Sequence, residues 1–225
     1  MNVIMNAITP PLAQRLIMLS LCFILLSLYT PHAKAETAGH VTKLQGQVMR
    51  NGTALSQGST IDSSDIITTG DNSNVVFEMI DGATVELGKN SELKLSEYHY
   101  QQGGNDNSVL MEVMSGFFRT ISGAVGKGNA DHYQVKTPLS SIGIQGTNYQ
   151  VLVNKAEEKE FIGARQGVII VEEIGIIATK KALLGDNQEQ RFLRMKAPTA
   201  GTRAMGVEWE KFATKPEDFP AEFQW

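Results

Sequence analysis

Cysteine is nearly missing from this 225-residue chain: Cys22 stands alone, inside the first thirty residues. If that leader is removed, disulfides, thiol catalysis and cysteine metal sites are excluded together. Basic runs are also lacking. The 20 lysines and arginines are outnumbered by 24 acidic residues, for a formal net charge of -4. That balance argues against binding a phosphate backbone, so no nucleic-acid partner is expected. Beyond the leader the histidines are His40, His99 and His132, with neither His-x-x-x-His nor His-Glu-x-x-His spacing. A nucleophile elbow is missing too, since Ser122 has Thr120 and Ala124 where that motif needs glycines. Gly123–Gly128 lacks the spacing of a phosphate loop, and no Ser or Thr follows Lys127, so a flexible loop is expected there. The adjacent pairs Glu157-Glu158 and Glu172-Glu173 would point to opposite faces of a strand. An enzyme needs a nucleophile, an acid–base pair or a metal, and these patterns nominate none. The expectation is a non-catalytic chain without cofactor or metal; carboxylates brought together from distant strands are the arrangement that pattern alone does not address.

Long apolar runs are absent except for one. Leu16–Leu28 contains only Ser20 and Ser27 as polar residues, follows Arg15 directly, and is ended by Pro31. Ala33-Lys34-Ala35 then supplies the small-x-small pattern of a signal-peptidase site, placing cleavage between Ala35 and Glu36. An uncleaved anchor is the alternative, but a spanning helix needs about 20 apolar residues. Cys22 follows Leu21 in mid-core, well before the Ala-x-Ala site, so lipidation is not expected. Residues 1–35 therefore read as a signal peptide, and the mature chain as periplasmic or secreted with no stable membrane anchor. Loss of Arg15 and Lys34 leaves 18 basic and 24 acidic residues, a net charge of -6. The remaining 190 residues (225 less 35) suffice for one sizeable core.

Helical periodicity is hard to find between Gly39 and Arg194. Short alternating segments occur instead, punctuated by Asn51-Gly52, Gly70–Ser73 and Asp81-Gly82, the residues of tight turns. Gln101–Ser108 reads as an exposed loop, and Lys155–Glu160 as the loop of a hairpin. The pattern predicts an all-β domain over 36–195 made of many short strands. Residues 196–225 form a tail rich in aromatics: Trp209, Phe212, Phe219, Phe223 and Trp225. A short helix is expected at Val207–Ala213, and packing of the tail onto the domain is favoured over docking to a partner.

The ordered motifs resemble the FecR-domain family over roughly Gly39 to Leu193. They run through Gly46-Gln47-Val48, Gly58, Asp65–Gly70, Asn72-Ser73, Asp81–Leu87, Ser91-Glu92-Leu93 and Gly116–Arg119. The closest are Val135-Lys136-Thr137-Pro138 and Gly146-Thr147-Asn148-Tyr149-Gln150-Val151. Where the family commonly has Arg-Gly-Thr, this chain has Gln145-Gly146-Thr147. The physical content of these residues is mostly architectural: Gly82 and Gly146 permit positive φ, and Asp65, Asp71 and Asp81 close turns. The resemblance implies a solenoid-like twisted β-domain facing the periplasm. Its best-known members carry that domain beneath one membrane helix, with a sigma-factor-binding domain inside the cell and a signal arriving from an outer-membrane transporter. Only some fifteen residues precede the apolar run here, so the chain is expected to lack that cytoplasmic domain.

Two functional readings follow. The first is an envelope component acting by protein–protein contact, as a sensory, signalling or scaffold element. The second is a module for cell-wall or extracellular polysaccharide, for which Tyr98 and Tyr100 form the candidate binding surface, with Tyr133 and Tyr149 as further stacking residues.

Overall fold

The computed structural model describes residues 36–128, 130–174, 180–198, 206–221 and 223. The chain divides into two units, Met1–Lys34 and Ala35–Trp225, and the description concerns the second. Ala33 and Ala35 of the expected cleavage site and Trp225 lie outside the described residues.

Fifteen strands form one continuous hydrogen-bonded sheet among the described residues. The first eight are β1 (Thr37–Gln45), β2 (Val48–Arg50), β3 (Thr53–Ala54), β4 (Thr60–Asp62), β5 (Ile66–Thr69), β6 (Asn74–Met79), β7 (Thr84–Leu87) and β8 (Glu92–His99). Three long strands follow among shorter ones: β9 (Ser108–Ile121), β10 (Tyr133–Lys136), β11 (Ser140–Asn154) and β12 (Lys159–Glu173). β13 (Lys181–Gly185), β14 (Phe192–Lys196) and β15 (Glu208–Phe212) complete the series. The all-β architecture of many short strands expected from the sequence is what the chain adopts.

The long strands organise the sheet. The first halves of β9 and β11 and the second half of β12 join a run that continues through β8, β5 and β2 on one side and ends at β13 on the other. Their other halves join a second run, from β4, β1, β6 and β7 to β14 and β15. Each long strand passes from one run to the other at a glycine of positive φ: Gly116 (79°), Gly146 (61°) and Gly167 (75°). A Cβ is excluded at Gly167 on two counts, the left-handed backbone and the closeness of the Gly146 carbonyl oxygen. The two runs enclose one core. Val75, Phe77, Val85 and Leu87 from one and Leu93, Leu95, Val109 and Met111 from the other belong to the same buried cluster.

Period-2 alternation explains most of this burial. In β6, Val75, Phe77 and Met79 face inward while Asn74 and Glu78 are exposed. Asn51-Gly52 has positive φ at both residues (49° and 80°), the conformation of a primed hairpin turn. Gly123–Gly128, expected to be a flexible loop, instead contains a one-turn helix, α1 (Ala124–Gly128), pinned by the buried side chain of Val125.

The aromatic tail packs on the domain. Phe219 and Phe223 join Phe161 and Phe192 in a second cluster, with Leu152 and Phe212 against it. Phe219 meets Phe161, Phe192, Phe212 and Phe223 edge-on, with ring centroids 5.2–5.8 Å apart. Gly163 makes the room, because a Cβ there would lie 2.6 Å from a ring carbon of Phe223. Arg194 stacks its guanidinium 5.2 Å above Phe212 and pairs with Glu210 (2.6 Å) and with Asp218. The helix expected at Val207–Ala213 is corrected by β15, which pairs with β14 over Glu208–Phe212. A seven-residue helix is too short to hold itself in water, whereas the edge of β14 offers a complete ladder. Replacing Phe219 with alanine should cost about 3 kcal/mol, as for other buried aromatics. The urea midpoint would show it, and an unchanged midpoint would mean that the tail is not part of the folded unit.

Candidate functional site

β10 ends at the motif Thr137-Pro138. Proline has no N–H to give to a ladder and holds Thr137 extended. The chain turns back into β11, closed by the Thr137 N–H donating to the Ser140 carbonyl (2.8 Å) and the Ser140 N–H donating to the Thr137 hydroxyl (2.9 Å). Beneath this turn lies Glu160, 1% exposed. Its Oε1 accepts the Leu139 N–H (2.8 Å), and its Oε2 accepts the hydroxyls of Thr137 (2.7 Å) and Ser140 (3.2 Å). A cavity of about 190 Å³ adjoins it, with Pro138, Leu139, Val153 and Ala197 as its apolar wall and Lys155 and Glu158 among its polar residues.

The sequence placed Glu160 in a hairpin loop. The turn is in fact Lys155–Glu158, and Glu160 lies within β12 with its side chain inward. Counting back two residues from the apolar Ile162 is the one signal that puts Glu160 on the core face.

Burial raises the Glu160 carboxyl from its ordinary 4.5 to about 7, against the pull of the bonds from Thr137, Leu139 and Ser140. Between those two values the folded state holds a proton that the unfolded state has released. Stability therefore falls as pH rises from about 4.5 to about 7, by on the order of 3 kcal/mol. Glu160→Gln should flatten that part of the curve. Urea midpoints measured at pH 5 and pH 8 test this, because the difference between wild type and variant removes the contributions of other carboxylates.

The tyrosines proposed as a binding surface are located differently. Tyr98 is 1% exposed, and its hydroxyl donates to Asp81 Oδ1 (2.7 Å). The reason is a bulge. Leu93 and Leu95 face inward, so strict alternation would turn Tyr98 outward, but the β8–β9 register shifts between Leu95 and Glu97 and reverses the phase. Tyr133 and Tyr149 are buried as well, and burial pushes all three phenols above their usual range. Tyr100 is half-buried against the core. His99, turned outward between the two tyrosines, pairs with Glu36 (2.7 Å), and that bond raises its pKa. Of the expected cleavage residues, Glu36 is thus described and sits against the end of β8.

Asp81 ties these parts together. Oδ1 accepts the Ala83 N–H (3.0 Å) as well as the Tyr98 hydroxyl, and Oδ2 accepts the Val125 N–H of α1 (3.2 Å). Asp65 closes its own turn through the Asp62 N–H (2.7 Å). Asp71 instead receives the Asn90 amide (2.9 Å), a side-chain partner rather than a backbone one. Glu172 and Glu173 do face opposite sides, with Glu173 buried and accepting the Val207 N–H (2.6 Å). Among the described residues, no group of three His, Cys, Asp or Glu is arranged to hold a metal ion.

None of the curated proteins matches the chain. Two crystal structures of a "putative anti-sigma factor" from Parabacteroides distasonis ATCC 8503 align with it at 13% identity and a TM-score of 0.46. Each alignment covers 65% of this chain and 59% of that one, so this chain spans less than two thirds of that protein's length. The family model described as FecR protein matches residues 65–168, from the turn before β5 into the second half of β12. That span contains Asp81, the Thr137-Pro138 turn and Glu160, and over it the chain matches the FecR family.

Proposed function

We propose that this chain is exported, and that its FecR-family domain acts in the bacterial envelope by protein–protein contact, as a sensory, signalling or scaffold component. The FecR match carries the regulatory part of this reading. The location is supported by the leader, with its Arg15, its apolar core and the Ala33-Lys34-Ala35 site. A non-catalytic role is consistent with the buried polar groups, because the donors around Glu160 and Asp81 are spent on turns and hairpins.

The polysaccharide reading keeps only the half-buried Tyr100 of the four tyrosines that motivated it. A stacking platform needs exposed ring faces, and Tyr98, Tyr133 and Tyr149 are all inside the core. In-cell crosslinking followed by purification from envelope fractions tests the preferred reading. A specific protein recovered with the wild-type chain is the expected result. Recovery of none, together with co-sedimentation with purified peptidoglycan, would replace it with the polysaccharide reading.

A further inference from the structure

Glu160 is wired for two protonation states. When its carboxyl is charged, Oε1 takes the Leu139 N–H and Oε2 takes the hydroxyl proton of Thr137, with the Ser140 hydroxyl also in reach. When the carboxyl is neutral, the proton on Oε2 is donated to Thr137 Oγ1, 2.7 Å away. Thr137 then turns its own proton to the Ser140 carbonyl oxygen, which lies at 3.1 Å. Thr137 Oγ1 then accepts two bonds, from Glu160 and from the Ser140 N–H, and the Ser140 hydroxyl keeps Glu160 Oε2, 3.2 Å away, as its acceptor in either case. No donor is left stranded in the core, because hydroxyls rotate where amides cannot.

The surrounding charges do not fix the carboxyl in its ionised form. On its own strand Lys159 is engaged by Glu157 (2.7 Å). Lys155 and Glu158 lie in the adjoining turn at the cavity. On β14 the residue opposite Glu160 is Met195, with Lys196 next to it and opposite Lys159. On the far side of Ser140, Glu173 directs its carboxylate to Val207. Among the described residues, no lysine or arginine lies within ion-pairing distance of Glu160.

We propose that Glu160 is a reversible proton-binding site whose protonation reverses the hydrogen-bond chain through Thr137 and Ser140 beneath the turn that walls the adjacent cavity. Burial brings its titration to about 7, so the charge beneath Pro138 and Leu139 changes across near-neutral pH. The inference stands on the geometry of the turn and does not depend on where in the cell the protein works.

The test is an NMR titration, from pH 5 to 9, of the protein as isolated from the expressing cell. The probes are the Glu160 carboxyl carbon and the backbone amides of Leu139 and Ser140. One reversible transition shared by all three, with a midpoint near 7, is expected. Thr137→Val should move that midpoint upward, since the threonine bond favours the charged form. A Glu160 midpoint at its ordinary 4.5, or amides of Leu139 and Ser140 that do not follow the carboxyl, would overturn the proposal. Glu160→Gln serves as the control that abolishes the amide transition. Should that variant fail to fold, through-bond assignment of Glu160 in the wild type still decides the matter.

Discussion

Replacement of Asp81 by alanine is expected to lower the stability of the β-domain by about 4 kcal/mol, a large part of the 5–15 kcal/mol that holds most domains together. The carboxylate is 6% exposed and accepts three bonds from three places: Ala83 in its own hairpin, Tyr98 on β8 and Val125 in α1. Removing it strands the Tyr98 hydroxyl and the Val125 N–H in the core, and each buried unpaired donor costs roughly 1–3 kcal/mol. Tyr98→Phe removes one donor and leaves the carboxylate its two amides, so it should cost only about 1 kcal/mol. Urea denaturation of both variants measures the difference. Equal, small losses would mean that Asp81 merely shapes its hairpin and does not join the two runs of strands.

The second large effect is expected at Gly167. Alanine there adopts a φ of +75°, and its Cβ runs into the Gly146 carbonyl, a backbone atom lying between the ladder pairs Gln145–Val168 and Asn148–Gln166. The left-handed conformation alone costs roughly 1–2 kcal/mol. The overlap has no flexible side chain to absorb it, so a total of about 4 kcal/mol or more follows. Gly82→Ala is the matched control. Its φ is +79°, yet a Cβ would meet nothing within 4 Å, so only the conformational cost of roughly 1–2 kcal/mol remains. Similar losses at the two positions would contradict the close stacking of Gly167 on Gly146 where β11 and β12 change partners.

These two sites mark how far the sequence could be read. Turn chemistry was legible at Asn51-Gly52 and Asp81-Gly82 because those residue types meet local backbone demands. Local rules do not carry phase across an irregularity. The bulge in β8 is written in no residue pattern, and it turned Tyr98 from a solvent-facing expectation into a core residue. Val207–Ala213 failed for a related reason, since the availability of the β14 edge is a property of the assembled sheet. Glu160 was hidden because glutamate beside charged Lys155–Lys159 looks solvated, and its partners Thr137, Leu139 and Ser140 stand about twenty residues away. The aromatic tail was better placed, because burial is the default for a cluster of phenylalanines.

The match to the FecR family over residues 65–168 accords with the order in which turns, glycines and aspartates recur there, and the buried sites explain how those residues hold the sheet. Export and protein contact rest on the leader and on the regulatory character of the family. The leader can be tested directly on the molecule. The decisive measurement is the N-terminal residue of the protein purified from a fractionated envelope. Our account predicts Glu36, freed by cleavage after Ala35, whereas recovery of the chain with Met1 still in place would contradict it.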